Sequence, residues 1–145
     1  MRIALASDHA AVELRLAVAA HLTGRGDQVD DLGCAAHERV DYPDYAARVT
    51  SAISAGSADV GVLICGTGIG MSMAANKVAG IRAALVHDAT TARLAREHND
   101  ANVLCVGGRV LGPLTVLECL DAWLDASFEP RHADRLAKLH ALEAR

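Results

Sequence analysis

Short apolar runs alternate with longer amphipathic stretches along the chain. Ile3 to Ala6, Val29 to Leu32, Val62 to Ile64, Ile81 to Val86 and Asn102 to Val106 are brief and rich in aliphatic and β-branched residues, which predicts five strands. Between them, apolar residues recur at helical spacing: Leu14, Val18 and Leu22; Tyr45, Val49, Ala52 and Ile53; Met71 to Val78; and Ala89 through Leu94. Leu117, Leu120 and Leu124 make a fifth such stripe, and Leu136, Leu139 and Leu142 a sixth.

Stop and start residues fit this division. Gly24 and Gly26 end the first helix, and Lys77 to Gly80 break the pattern ahead of the fourth strand. Asp41, with Pro43 in the first turn and Asp44 three residues on, reads as a helix start capped by Asp41. Asp88 caps the helix from Ala89, and Pro113 opens one whose Trp123 is expected at its edge. Strands that run apolar without alternating suit a sheet covered on both faces. The expected fold is therefore α/β: a three-layer α/β/α sandwich with a five-stranded parallel sheet, Rossmann-like and doubly wound. The pattern does not give the strand order.

Composition narrows the class. At 145 residues and 52% hydrophobic, residues 1–145 are expected to form a single domain with a substantial core. Aromatics are only 3%, so Ala, Val, Leu and Ile must build that core. A net charge of -4 lacks the basic footprint of a nucleic-acid binder. Arg2, Asp8, Glu13 and Arg15 interrupt any secretory apolar core and no stretch approaches membrane-spanning length, so a cytoplasmic protein with no membrane partner is expected. Cys34, Cys65, Cys105 and Cys119 show neither C-x-x-C nor zinc-type pairing with histidine, and are read as reduced thiols with no metal site.

The chemistry gathers at strand ends. The third strand stops at Cys65 and runs into Gly66, Gly68 and Gly70, glycines that let successive amides converge on a negative oxygen. A thiol at such a turn feels the helix dipole and nearby amides, both of which favour the thiolate. Equally, a cysteine there is often one more small buried apolar residue. Asp8 and His9 follow the first strand, where α/β sheets collect ligand-binding groups, although Asp8 also suits a helix cap. His98 and Asn99 end a helix, where a histidine is either a dipole-favoured cap or a general acid or base. Gly107-Gly108-Arg109 repeats the flexible turn with a guanidinium, and Arg131 and Arg135, four apart on one helical face, suit either a phosphate clamp or a solvated basic face. Tyr42 is either a site residue or packing at a helix entry.

As an ordered set, Ser7-Asp8-His9, Asp41-Tyr42-Pro43, Cys65-Gly66-Thr67-Gly68-Ile69-Gly70, Ala74-Ala75-Asn76-Lys77, His98-Asn99-Asp100, Gly107-Gly108-Arg109 and Arg131 with Arg135 resemble the ribose-5-phosphate isomerase B family along nearly the whole chain. The resemblance implies interconversion of D-ribose 5-phosphate and D-ribulose 5-phosphate without metal or cofactor. Such a proton shift through an enediolate needs a base beside the carbon and donors aimed at the developing oxyanion. By similarity, Cys65 is that base, Thr67 supports it, and the amides of Gly66, Gly68, Ile69 and Gly70 hold the oxygen. Some family members carry a glutamate instead, at the position of Met71, which cannot act as a base. Ring opening falls to His98 and Asp8, phosphate binding to His9, Arg109, Arg131 and Arg135, and sugar contacts to Asn99 and Tyr42. The resemblance further implies a homodimer, often paired into a homotetramer, in which His98, Asn99 and Arg109 enter the neighbouring subunit's site.

Three other readings remain. Galactose-6-phosphate, allose-6-phosphate and tetrose-phosphate isomerases share most of this constellation, and the loop Gly33 to Val40 is where substrate preference could be set. A non-catalytic phosphometabolite-binding module is a second, although Gly66, Gly68 and Gly70 alternate and do not spell the dinucleotide G-x-G-x-x-G. A cysteine hydrolase or redox enzyme is a third, and it leaves the arginines unexplained.

Overall fold

The apolar runs pair edge to edge as parallel strands, because each is followed by a helix that carries the chain back before the next begins. In the computed structural model, which describes residues Met1–Glu143, the order is β1 (Arg2–Ser7), α1 (Val12–Gly24), β2 (Gln28–Asp31), α2 (Tyr42–Ser54), β3 (Val60–Cys65), α3 (Ile69–Ala75), β4 (Ala83–Leu85), α4 (Ala89–Asn99), β5 (Val103–Gly107) and α5 (Pro113–Leu124). A 3₁₀ turn (Pro130–His132) and α6 (Ala133–His140) follow. The sheet order is β2-β1-β3-β5-β4, with all four pairings parallel. The architecture is thus the expected α/β fold.

Helices cover both faces. Val18 and Leu22 of α1, Ala92 and Ala95 of α4, and Val116 and Leu120 of α5 pack with Leu5, Val62 and Leu104 on one side. Tyr45 and Val49 of α2 and Met71 and Ala75 of α3 pack with Leu63 and Cys105 on the other. Each large aliphatic side chain fully buried this way contributes about 1.5–3 kcal/mol relative to exposure.

Several local expectations are corrected. Trp123 is not at an edge: it is 1% exposed, and its indole N–H donates to Ala101 O at 3.2 Å, which ties α5 beneath the start of β5. The fourth strand begins at Ala83 rather than Ile81, because Arg82 is claimed by Asn102, whose Oδ1 accepts its N–H at 2.8 Å. Helix α3 begins at Ile69 and ends at Ala75, earlier than the spacing suggests, since Gly68 in the left-handed region sets its entry. Asp41 holds the N-cap position of α2 but makes no side-chain capping bond, whereas the Asp88 carboxylate accepts from Thr91 N–H at 2.8 Å as expected of a cap.

Candidate active site

Strand order reverses at β1, which has β2 on one side and β3 on the other, and open α/β sheets bind ligands in the crevice at such a point. Ser7 is level with Ile64, and the chain crosses the gap directly: Asp8 N–H donates to Ile64 O at 3.2 Å. Asp8 is 8% exposed, and its Oδ1 accepts from Ala10 N–H at 2.9 Å. This is a tight turn rather than a helix cap, since the N-cap of α1 is Ala11, three residues later. His9 is exposed, and its Nδ1 lies 3.2 Å from Val40 O and 3.3 Å from Val40 N, which links the turn to the end of the Gly33 to Val40 loop.

Cys65 closes β3, buried at 5% exposure. The decisive contact is local: Gly68 N–H donates to Cys65 Sγ at 3.1 Å. Gly68 reaches that position with φ of 78°, and any Cβ on it would lie 2.6 Å from Leu85 Cδ1 and 2.8 Å from the Val106 carbonyl carbon. Thr67 Oγ1 accepts from Ile69 N–H at 3.3 Å, holding its hydroxyl at the mouth of the turn. Gly70 lies against the Tyr42 ring, since a Cβ there would be 2.7 Å from its Cζ, so Tyr42 from the first turn of α2 walls the turn on one side. From β5, Gly108 N–H donates to Cys65 O at 2.8 Å and Arg109 N–H to Gly66 O at 3.0 Å. The Arg109 side chain passes beside Gly66, with its Cδ 3.5 Å from where a Cβ would stand.

The four thiols are not equivalent. Burial pushes the Cys105 thiol far up and raises Cys119 to about 11, which makes neither a base near neutrality. Among the described residues, Cys65 is the thiol that receives a backbone donor.

The remaining predicted residues gather elsewhere. His98 and Asn99 end α4, just ahead of β5, whereas Cys65 is level with Gly107 at the other end of that strand. Four steps of about 3.3 Å separate the two ends of that strand, Val103 and Gly107, by roughly 13 Å. Glu129 N–H donates to Glu97 O at 2.8 Å and brings the last turn to the end of α4. There the His98 and His132 rings pack with centroids 4.4 Å apart and planes tilted by 41°, and Arg135 Nη1 lies 3.1 Å from His132 Nδ1. Glu129 Oε2 accepts from Arg131 Nη2 at 2.6 Å and Nε at 2.7 Å. The Arg131 guanidinium holds the Glu129 carboxyl below the usual range, while burial, helped by the charges of Arg131, His98 and Arg135, pushes His132 down from 6.5.

So Asp8, His9, Tyr42, Cys65, Gly66, Thr67, Gly68, Ile69, Gly70 and Arg109 converge at the C-terminal edge of the sheet, and His98, Asn99, Arg131 and Arg135 at the opposite edge. Arg109 lies with its own chain's turn, apart from the His98 and Asn99 with which the resemblance grouped it. Sequence reasoning missed Glu129, although a carboxylate two and three residues before Arg131 and His132 was a signal for it. It also passed over Arg15, which is 5% exposed and reaches Asp31 at 2.9 Å, Ser7 Oγ at 3.2 Å and Cys34 O at 2.8 Å. That side chain anchors the base of the Gly33 to Val40 loop to β1. A cavity of about 550 Å³ opens between this loop and α1, lined by His9, Glu13, His37 and Gly108 among others, and His37 enters it from a left-handed φ of 71°.

A model of the Ribose/Galactose Isomerase family matches residues 3–139. Ribose-5-phosphate isomerase B of Escherichia coli is 46% identical over 145 residues, covering 99% of this chain and 97% of that protein. Among solved structures, ribose-5-phosphate isomerase B of Clostridium thermocellum superimposes with a TM-score of 0.97 at 46% identity, over 99% of this chain and 98% of that one. Ribose-5-phosphate isomerase B of Mycoplasma genitalium with bound ribulose-5-phosphate gives 0.94 at 41% identity, over 99% and 97%.

Proposed function

The chain belongs to the Ribose/Galactose Isomerase family, and from that premise we propose that it is an aldose-ketose isomerase interconverting D-ribose 5-phosphate and D-ribulose 5-phosphate, acting as one domain over residues 1–145. The observation that carries the chemistry is the Gly68 amide on Cys65 Sγ at 3.1 Å. That contact fixes the Cys65 sulfur at the mouth of the turn, where a backbone donor faces it.

Three steps follow. Ring opening delivers a proton to the ring oxygen and removes one from the C1 hydroxyl, the work of His98 and Asp8. Cys65 then takes the proton from C2 while the C1 oxygen gains negative charge, and the amides of the 66 to 70 turn not engaged by Cys65 Sγ and Thr67 Oγ1 are read as the donors to that oxygen in the enediolate. Finally, the C2 hydroxyl proton passes to the negative C1 oxygen, and Cys65 returns its proton to C1 as the C2 oxygen becomes the ketone. Thr67, with its hydroxyl fixed by Ile69, supports the thiol, and Tyr42 and Asn99 contact the sugar hydroxyls. His9, Arg109, Arg131 and Arg135 meet the phosphate, for which guanidinium forks are suited by geometry and charge.

A complete set of these groups requires two copies. With His98, Asn99, Arg131 and Arg135 gathered at the opposite end of the strands from Cys65, the reading is a homodimer, pairable into a tetramer, whose sites are shared between subunits. The enzyme is read as cytoplasmic; no helix among the described residues is long and apolar enough to cross a membrane.

The test is turnover of D-ribose 5-phosphate by purified protein with chelator present. Conversion to ribulose 5-phosphate is expected; a folded dimer inert toward it would overturn the assignment. A second reading, galactose or allose 6-phosphate as the preferred substrate, is favoured by the family's span over both sugars and by the open cavity of about 550 Å³ beside His9. Running those sugars in parallel ranks the two.

A further inference from the structure

The carboxylate of Glu129, to which no role has yet been given, is the centre of the cluster at the end of α4. Its Oε2 accepts from two nitrogens of Arg131, at 2.6 and 2.7 Å, and lies 3.5 Å from His132 Nε2 and 3.8 Å from His98 Nε2. Among the described residues His132 Nε2 is buried without a hydrogen-bond partner and faces this oxygen. His98, Glu129 and His132 offer donor atoms within 4.8 Å of one another, a spacing that would suit a metal ion. The charges argue against one: Arg131 saturates the carboxylate oxygen, and Arg135 lies on His132 Nδ1. One guanidinium holds the carboxylate and a second lies on its histidine neighbour, so two guanidiniums share a single carboxylate's charge and the surplus calls for an anion.

We infer that Glu129 is a placeholder for the substrate's phosphate: its carboxylate engages Arg131 in the free protein and gives up the guanidinium when a phosphate dianion arrives. The inference rests on the assignment of Arg131 to phosphate binding. Glu129 is well placed for such an exchange. Its backbone is fixed at both ends, by Glu129 N–H to Glu97 O at 2.8 Å and His132 N–H to Glu129 O at 3.0 Å, so only its side chain need turn. Arg131 itself is 68% exposed at the side chain, open to an incoming anion, while the carboxylate is 38% exposed. A released Glu129 carboxylate has the His98 and His132 rings as its neighbours, now 3.8 and 3.5 Å from Oε2, so phosphate capture couples to the orientation of His98. Glu129 is thus a positioning residue, acting through Arg131 and His98.

Two arms test this in the full-length protein. In Glu129→Gln the competitor's charge is gone, and inorganic phosphate, followed by calorimetry, should bind about two- to fivefold more tightly, the range of an exposed ion pair. KM for D-ribose 5-phosphate should fall by a similar factor while kcat also falls, and Glu129→Asp, which keeps the charge but draws it back by one methylene, should lie between. A purely structural role would not lower KM. Phosphate binding that is unchanged or weaker in Glu129→Gln overturns the inference. The second arm needs no variant: the Nε–H proton resonance of Arg131 in the wild type should move on saturation with inorganic phosphate, and a resonance that stays in place overturns the inference. Wild-type turnover separates the failures. An active enzyme with an unmoved Arg131 refutes the placeholder alone, whereas a wild type that neither turns over sugar phosphate nor binds phosphate refutes the function on which it rests.

Discussion

Gly68→Ala is the sharpest structural test, because a second glycine provides its internal control. Gly68 and Gly80 both have φ of 78°, so an alanine at either meets the same backbone penalty of about 1–2 kcal/mol for an L-residue in the left-handed region. They differ in space. At Gly80 nothing lies within 4 Å of the new Cβ. At Gly68 it would stand 2.6 Å from Leu85 Cδ1 and 2.8 Å from the Val106 carbonyl carbon. The leucine can rotate, but the carbonyl carbon belongs to the backbone just before the end of β5, held by the β3 ladder and by Gly108 on Cys65 O. Relief must come from the 66 to 70 turn itself, at about 1–3 kcal/mol for an overpacked site. Gly68→Ala should therefore cost about 2–5 kcal/mol in urea denaturation and Gly80→Ala about 1–2 kcal/mol. Since a displaced turn also withdraws the amide from Cys65, turnover should collapse only in Gly68→Ala, even under conditions where both variants are fully folded. Equal stability losses, or a Gly68→Ala enzyme with normal kcat, would refute the claim that this backbone is fixed by close approach and serves the thiol.

Other expectations concern charge. Arg15→Met removes the partner of Asp31 and the donors to Ser7 and the Cys34 carbonyl; it should cost about 1–3 kcal/mol by denaturation and loosen the Gly33 to Val40 loop in hydrogen exchange. A loss confined to stability with unchanged loop exchange would contradict that anchoring. His132 has its folded value below 6.5, chiefly from burial and then from Arg131 and its other cationic neighbours. The unfolded chain therefore binds more protons in the window just below 6.5, so stability falls as pH drops through it. The melting temperature should decline between pH 7 and 5 more steeply in the wild type than in His132→Gln; parallel curves would count against it.

How much was legible in the chain depends on what each residue answers to. The strand runs around Val62 and Leu104, the Gly24 stop and the Asp88 cap are local signals, and they held because tertiary contacts reinforce them. Trp123 was misjudged because indole amphipathicity suggests an edge, while burial against α4 and β5 with Ala101 O as acceptor decided otherwise. Arg15 was passed over because an arginine on a helix normally faces water; its burial is created by an acceptor set from β2, β1 and a loop that no spacing rule brings together. The site divided in the same way. Cys65 to Gly70 is contiguous and could be read as one turn, and Asp8 and His9 follow from a strand end. His98, Arg131 and Arg135 were readable as residues but not as a cluster, because Glu129, which joins the first two, sits outside any periodic element, and Arg135 is joined to them only through His132. Their distance from Cys65 is a property of the folded sheet and not of the sequence.

The central claim is that Cys65 carries the proton in this isomerase. Its most direct test is turnover of D-ribose 5-phosphate by Cys65→Ala, with inorganic phosphate affinity and melting temperature measured alongside. The account predicts a fall in kcat of about 10²–10⁴, the usual contribution of a general base, with phosphate binding and folding intact. A Cys65→Ala enzyme that turns over within a fewfold of the wild type would contradict it.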